Sequence, residues 1–344
     1  MKTIVCHGAK DIRIEEVDAP QAPNSSQVRI AIEAGGICGS DLHYYNHGGF
    51  GEIRIKEPMT LGHEVSGKVI ELGSDVSNLQ LGDLVSINPS RPCYDCEYCY
   101  KAQFNQCLNM RYYGSAMPFP HIQGAFSQEI IAEARQCFVL SKETTAAEAA
   151  CAEPLSVGLH AINRAGNLLG KRVLVTGVGP IGALVVAAAK MHGALEIVAT
   201  DVVDEALEVV KKVGADHVIN VATNGDELSR YSANKGYFDI VIEASGSPMA
   251  VQSAAEVIKP RGRLVQLGLG GSAPIPSQLV AKEIEICGSF RFHEEFEWAC
   301  ELISKRRIDL SPIISHSFSY KDAVEAFESA GDRTKAMKVV LSFE

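Results

Sequence analysis

The spacing of apolar positions changes near the middle of the chain. In the first 150 residues they form short runs, such as 28–32 (VRIAI), 65–72 (VSGKVIEL) and 84–87 (LVSI), separated by Gly-rich turns. Short β-type runs bounded by turn residues predict an irregular, mostly β domain. From about Gly170 the runs become fully apolar. Arg172–Thr176 (RVLVT), 196–200 (EIVAT), His217–Asn220 (HVIN), 238–244 (FDIVIEA) and 263–267 (RLVQL) read as strands. Between them 181–191 and 207–213 have helical length and composition. Strands alternating with helices predict βαβ units and a parallel sheet. Near the end, DAVEAFESA and then AMKVVLSF read as a helix followed by a strand that can rejoin the first domain.

The 344 residues give room for two domains with cores of their own. A net charge of −10 argues against binding a phosphate backbone, so no nucleic-acid partner is expected. The apolar stretch at 173–191 is interrupted by Gly177, Gly179, Pro180 and Gly182, which predicts no membrane span. The N-terminal run lacks a signal-peptide pattern, and ten cysteines fall far short of a disulfide scaffold. Reduced thiols or metal ligands in the cytoplasm are the expectation.

Gly177-Val178-Gly179-Pro180-Ile181-Gly182 follows a strand and opens a helix. In that context the glycines permit a tight turn, approach of backbone to a pyrophosphate and close packing of helix on strand. Asp201 ends the next strand, where a carboxylate can accept ribose hydroxyls and repel a 2′-phosphate. No Arg or Lys follows closely in DVVDEALEVVKK, which favours NAD over NADP. A turn of this shape without a nucleotide is the plain structural alternative.

Cys93, Cys96, Cys99 and Cys107 lie within fifteen residues. Four thiolates fill a tetrahedral shell and leave no place for substrate, so this cage predicts a structural zinc. An iron–sulfur cluster uses the same ligand set. A DNA-reading finger is disfavoured, because no basic helix follows Cys107. Cys38 in GGICGSDLH and His63 in LGHE, joined by a carboxylate, predict a second site with one open position, as in a catalytic zinc. The carboxylate is Glu64 or Glu153, the latter in AEPLS. Ser40 and His43, three residues apart, can pass a released proton to solvent. Alone, each of these residues would read as a core, cap or turn residue.

Taken together, GGICGSDLHYY, LGHEVSGKV, CYDCEYCY followed by NQC, AEPLSVGLHA, VLVTGVGPIG and GSFRF resemble the zinc-containing medium-chain dehydrogenases over essentially the whole chain. The resemblance implies a GroES-like catalytic domain over 1–152, rejoined by 291–344, and a Rossmann domain over 153–290. It implies one catalytic and one structural zinc, NAD as cofactor, and a dimer or tetramer. It places the catalytic zinc on Cys38, His63 and Glu64, with Glu153 close by, and the proton relay on Ser40 and His43. NAD would run along Gly177, Gly179, Pro180, Ile181, Gly182 and Asp201. Leu267, Gly268, Leu269, Ser289, Phe290 and Arg291 would lie on the nicotinamide side. Tyr44, Glu153 and Arg291 match sugar-contacting positions of the polyol branch. Phe292 stands where sorbitol enzymes carry tyrosine, and Ala206 stands near the place of an arginine that often follows the ribose-binding aspartate.

The run NMRYYGSAMPFPHIQGAF resembles enzymes that oxidise a sugar acid, idonate, reversibly to a ketogluconate. A sugar-acid carboxylate needs a cation, and Arg111 and Arg291 are the expected clamp. A neutral-polyol dehydrogenase and a threonine-type enzyme differ only in the pocket. A non-enzymatic NAD- and zinc-binding relative would have no need of the complete set of site residues.

Overall fold

The structure is a computed structural model describing residues 1–270 and 275–343. Two sheets organise it. The path of the first runs Cys137–Val139, Leu84–Ile87, Glu64–Leu72, Gln27–Gly36, Lys338–Ser342, Ile314–Ser319, with Glu129–Glu133 also paired to Gln27–Gly36. Ile314–Ser319 runs parallel to Lys338–Ser342, and the other pairings are antiparallel. Val28, Ile30, Ile32 and Ala34 alternate inward along Gln27–Gly36, as a half-buried strand requires.

That strand outruns the 28–32 expected from its β-branched residues. Pairing on both sides carries it further: Gly36 faces Glu64 on one neighbour and Val340 on the other. The extension matters, because it delivers the chain to Cys38. The terminal strand lies in this first sheet. Ile314–Ser319, largely exposed and carrying His316 and three serines, gives no apolar signal of its own.

The second sheet has six parallel strands in the order His217–Asn220, Glu196–Asp201, Arg172–Thr176, Phe238–Glu243, Ile258–Gln266, Glu285–Gly288. Its first strand in chain order lies in the middle, so strand order reverses there. Ligands of such sheets bind outside the strand ends at that point. Val173 and Val175 face the core shared with helices Ala152–Ala165, Pro180–Met191 and Glu295–Ser304. Leu174 faces the opposite core with helix Pro248–Val257. Burial on both faces explains the unbroken apolar strands. No helix among the described residues is long and apolar enough to cross a membrane.

Candidate active site

Three segments converge at one end of the first sheet. Gln27–Gly36 ends two residues before Cys38, and His63 leads into the neighbouring strand at Glu64. Ligand atoms of Cys38, His63 and Glu64 all lie within 4.8 Å of one another. Asp41 ties the pieces together. It is fully buried in the first turn of helix Gly39–His47, which Cys38 caps. Its Oδ2 accepts from the Cys38 N–H at 3.0 Å and its Oδ1 from the Gly62 N–H at 3.2 Å. Oδ1 also stands 3.8 Å from His63 Nδ1. Sequence reasoning missed Asp41, although a carboxylate three residues past a helix cap is capping-box spacing.

Lys338 arrives on the terminal strand, buried, with Nζ paired to the Glu64 carboxylate and donating to the Ile37 carbonyl at 3.1 Å. Burial pushes the lysine pKa down, but Glu64 and then Cys38 carry it above its ordinary value. His63 shows the same balance: burial disfavours its charge, yet Asp41 and Cys38 raise it to about 10. His63 Nδ1 and Glu64 Oε1 are buried with no hydrogen-bond partner. Orphaned buried polar atoms are uncommon. A thiol, an imidazole and a carboxylate within mutual reach, in a position that attracts positive charge, suit a zinc ion.

Glu153 opens helix Ala152–Ala165 and is buried beside this cluster. Burial raises its pKa, His63 opposes and Glu64 reinforces the shift, leaving it at about 7. The Tyr112 hydroxyl donates to Glu153 Oε1 at 2.5 Å. The Tyr112 ring lies 5.7 Å from the His63 ring, and the Arg291 guanidinium lies 4.1 Å from the Tyr112 centroid. Arg291 holds a left-handed backbone, φ 54°, and burial lowers its pKa. Such a conformation is costly for a residue with a side chain and clusters at functional positions.

The four-cysteine cage is assembled. Its sulfurs lie within 4.8 Å of one another, with Cys93 and Cys107 at 3.4 Å and Cys93 and Cys99 at 4.0 Å. Tetrahedral Zn–S bonds of ~2.3 Å place sulfurs about 3.8 Å apart, so the set fits zinc. The Cys93 and Asn109 N–H groups donate to Cys107 Sγ, at 3.2 and 3.4 Å.

The glycine turn lies where the parallel sheet reverses. Gly177 has φ +77°, and a Cβ there would come within 2.4 Å of the Ser245 side chain. A Cβ on Gly182 would come within 2.0 Å of the Gly177 carbonyl oxygen. Pro180 begins the following helix, Pro180–Met191, where its missing N–H costs nothing. A cavity of about 250 Å³ touches Gly179, Pro180 and Ala206, and one of about 340 Å³ touches Gly246, Gly268 and Leu269.

Residues 24–142 match the model of the alcohol dehydrogenase GroES-like domain, and 180–305 that of the zinc-binding dehydrogenases. The chain is 44 % identical to the L-idonate 5-dehydrogenase (NAD(P)(+)) of Escherichia coli over 99 % of its own length and 98 % of the relative's. It belongs to the zinc-binding dehydrogenase family. The sorbitol dehydrogenase of Gallus gallus is 36 % identical, with 98 % of this chain and 95 % of that one covered. The crystal structure of the Escherichia coli L-idonate enzyme superposes with a TM-score of 0.95, covering 99 % of this chain and 98 % of that one. The GroES-like and Rossmann architecture, zinc and NAD(P) chemistry, and dehydrogenase class follow for this chain.

Within this zinc-binding dehydrogenase, other expected residues fall as follows. Ser40 is half-buried and His43 exposed, one helical turn apart. The Tyr44 hydroxyl accepts from the Ala116 N–H at 3.0 Å. Ser289 is buried with its hydroxyl unbonded, while Phe290 and Leu269 are exposed. Of the two expected clamp residues, Arg291 stands against Tyr112, whereas Arg111 is exposed. Arg111 shares the two-residue strand Arg111–Tyr112 with a buried neighbour, and period two turns it outward, exposed. Tyr112 takes the inward place. Asp201 also differs from the open carboxylate expected. Its Oδ2 accepts from the Val178 N–H at 2.7 Å and Arg333 Nη2 at 2.6 Å, and its Oδ1 from the Val202 and Val203 N–H groups at 2.7 and 3.1 Å.

Proposed function

We propose that the chain oxidises the secondary alcohol of a sugar acid, L-idonate to 5-keto-D-gluconate and back, with NAD(P). The observation that carries the reading is Arg291, a half-buried cation held against Tyr112 beside Glu153 and the Cys38–His63–Glu64 cluster. The 44 % identity to an enzyme named for that activity supports it. Cys38, His63 and Glu64 would hold the catalytic zinc, and Cys93, Cys96, Cys99 and Cys107 the structural one. When bound, that zinc would supply Lewis acidity and the dinucleotide a hydride acceptor.

The chain's own residues do the rest. Arg291 binds the substrate carboxylate, and Tyr44, Tyr112 and Glu153 orient its hydroxyls. Ser40 takes the alcohol proton and His43, exposed one turn along, releases it to water. The dinucleotide lies on Gly177, Gly179, Pro180, Ile181 and Gly182, with Leu267, Gly268, Leu269, Ser289 and Phe290 on the nicotinamide side. Residues 1–152 with 291–344 form the catalytic domain and 153–290 the nucleotide domain. A cytoplasmic homo-oligomer completes the reading, checked by light scattering and cell fractionation.

Activity with L-idonate, sorbitol, xylitol and L-threonine tests it, before and after Arg291→Ala. Idonate should give the highest kcat/KM, and the variant should lose idonate more steeply than sorbitol. A wild-type preference for sorbitol or threonine, or equal losses, refutes the proposal.

A further inference from the structure

Arg333 joins the nucleotide site from the far end of the chain. It lies on the turn between helix Ala323–Gly331 and strand Lys338–Ser342, elements of the first domain, 132 residues from Asp201. Its Nη2 donates to Asp201 Oδ2 at 2.6 Å. Two donors occupy each Asp201 oxygen, so the four acceptor positions of the carboxylate are filled. A Cβ built on Gly179 would stand 3.9 Å from both Nε and Nη2 of Arg333, which places the guanidinium over the open side of the glycine turn. The side chain keeps 44 % of its surface exposed. Lys335 and Glu205 border the same 250 Å³ cavity, one cation and one acid.

A carboxylate at the end of this strand ordinarily bonds the ribose 2′-hydroxyl and repels a 2′-phosphate, whereas a nearby arginine accommodates that phosphate. Here both are present and paired. We propose that Arg333 decides cofactor choice: it cancels the charge of Asp201 and turns its remaining N–H groups to the 2′-phosphate of NADP, so the enzyme accepts both cofactors. The inference rests on the reading of Gly177–Gly182 as the pyrophosphate site. On this reading the cation that the run after Asp201 lacks comes from another part of the chain.

The test is binding without sugar substrate. NADH and NADPH are titrated by nicotinamide fluorescence into the zinc-loaded enzyme, its Arg333→Ala variant and Arg333→Lys. A charge-assisted bond to phosphate predicts that Arg333→Ala raises the Kd for NADPH about tenfold or more relative to NADH, with partial recovery in Arg333→Lys. Thermal melting checks that the variants fold. A ratio of the two constants that moves less than about threefold, or equal weakening of both cofactors, overturns the assignment while leaving the nucleotide site standing. Failure of the wild-type enzyme to bind either dinucleotide overturns both.

Discussion

Replacing Glu295 by glutamine probes how the chain holds Arg291 in place. Glu295 is 3 % exposed and accepts three bonds of 2.8 Å, from His160 Nδ1, Asn163 Nδ2 and the His293 N–H. His160 and Asn163 belong to the helix that begins with Ala152 and Glu153, and His293 lies two residues past Arg291. One carboxylate thus ties the segment bearing Arg291 to the helix bearing Glu153. Burial opposes its charge, but the His160, His293 and Asn163 donors outweigh burial and hold the pKa at about 2. Against an ordinary value near 4.3, the shift of roughly two units is about 3 kcal/mol. Because the folded pKa lies below the unfolded one, this contribution is complete above about pH 5 and fades as the pH falls toward 2. Glutamine offers one acceptor oxygen and turns an NH₂ toward the donors, so most of it is lost. At about 2.1 cal/mol/K per residue, unfolding 344 residues carries roughly 0.7 kcal/mol/K, which converts the loss to about 4 °C in Tm. Trp298, the single tryptophan, is in helix Glu295–Ser304 and reports the melt by fluorescence. The variant should melt about 4 °C lower at pH 7, with the gap narrowing below pH 4 and the KM for substrate rising. A gap under about 1 °C at pH 7, or one that widens in acid, would refute the reasoning.

Lys338→Met leaves the buried Glu64 carboxylate without its cation and should cost about 3–5 kcal/mol, read by denaturant titration, with Glu64→Gln in the same chain recovering part of it. A cost below about 1 kcal/mol would mean the pair is not a buried ion pair. Tyr112→Phe removes the donor to Glu153 and should lower kcat/KM about tenfold or more at unchanged zinc content; an unchanged kcat/KM would exclude a role in orienting substrate. Metal analysis should find two zinc per chain in the native protein and one in Cys107→Ser, since three thiolates hold zinc less firmly than four. Iron in the native protein would return the cage to the cluster alternative.

Much of this architecture is legible in the sequence because local patterns carry it. The runs Arg172–Thr176 and His217–Asn220 are strands with the bounds their pattern predicts. The cysteine spacing announces the cage, and Cys38, His63 and Glu64 meet as their motifs suggest. What stayed hidden has a common cause. Lys338, Arg333 and Glu295 meet Glu64, Asp201 and His160, which lie 274, 132 and 135 residues away, through pairings that no periodicity encodes. The charge of Arg111 suggests a clamp, yet the pleat of a two-residue strand gives the inward face to Tyr112. A motif names the groups that do chemistry, while the groups that aim them come from wherever the topology brings the chain close.

The cage illustrates that distinction. All four of its cysteines face one another, so it has no open position for substrate. Its lobe nevertheless reaches the substrate side. Asn105 Nδ2 donates to the Phe290 carbonyl at 3.0 Å, and the Phe104 ring lies 4.3 Å from the His293 ring. These contacts bracket Arg291, whose left-handed backbone must be held from both sides. Glu295 holds it through the His293 N–H, and the lobe stabilised by Cys93–Cys107 holds it through Phe290 and His293. Losing the structural metal should therefore weaken binding of an acidic substrate before it touches the Cys38–His63–Glu64 cluster. The order of those losses separates a cage that merely stabilises the fold from one that places Arg291.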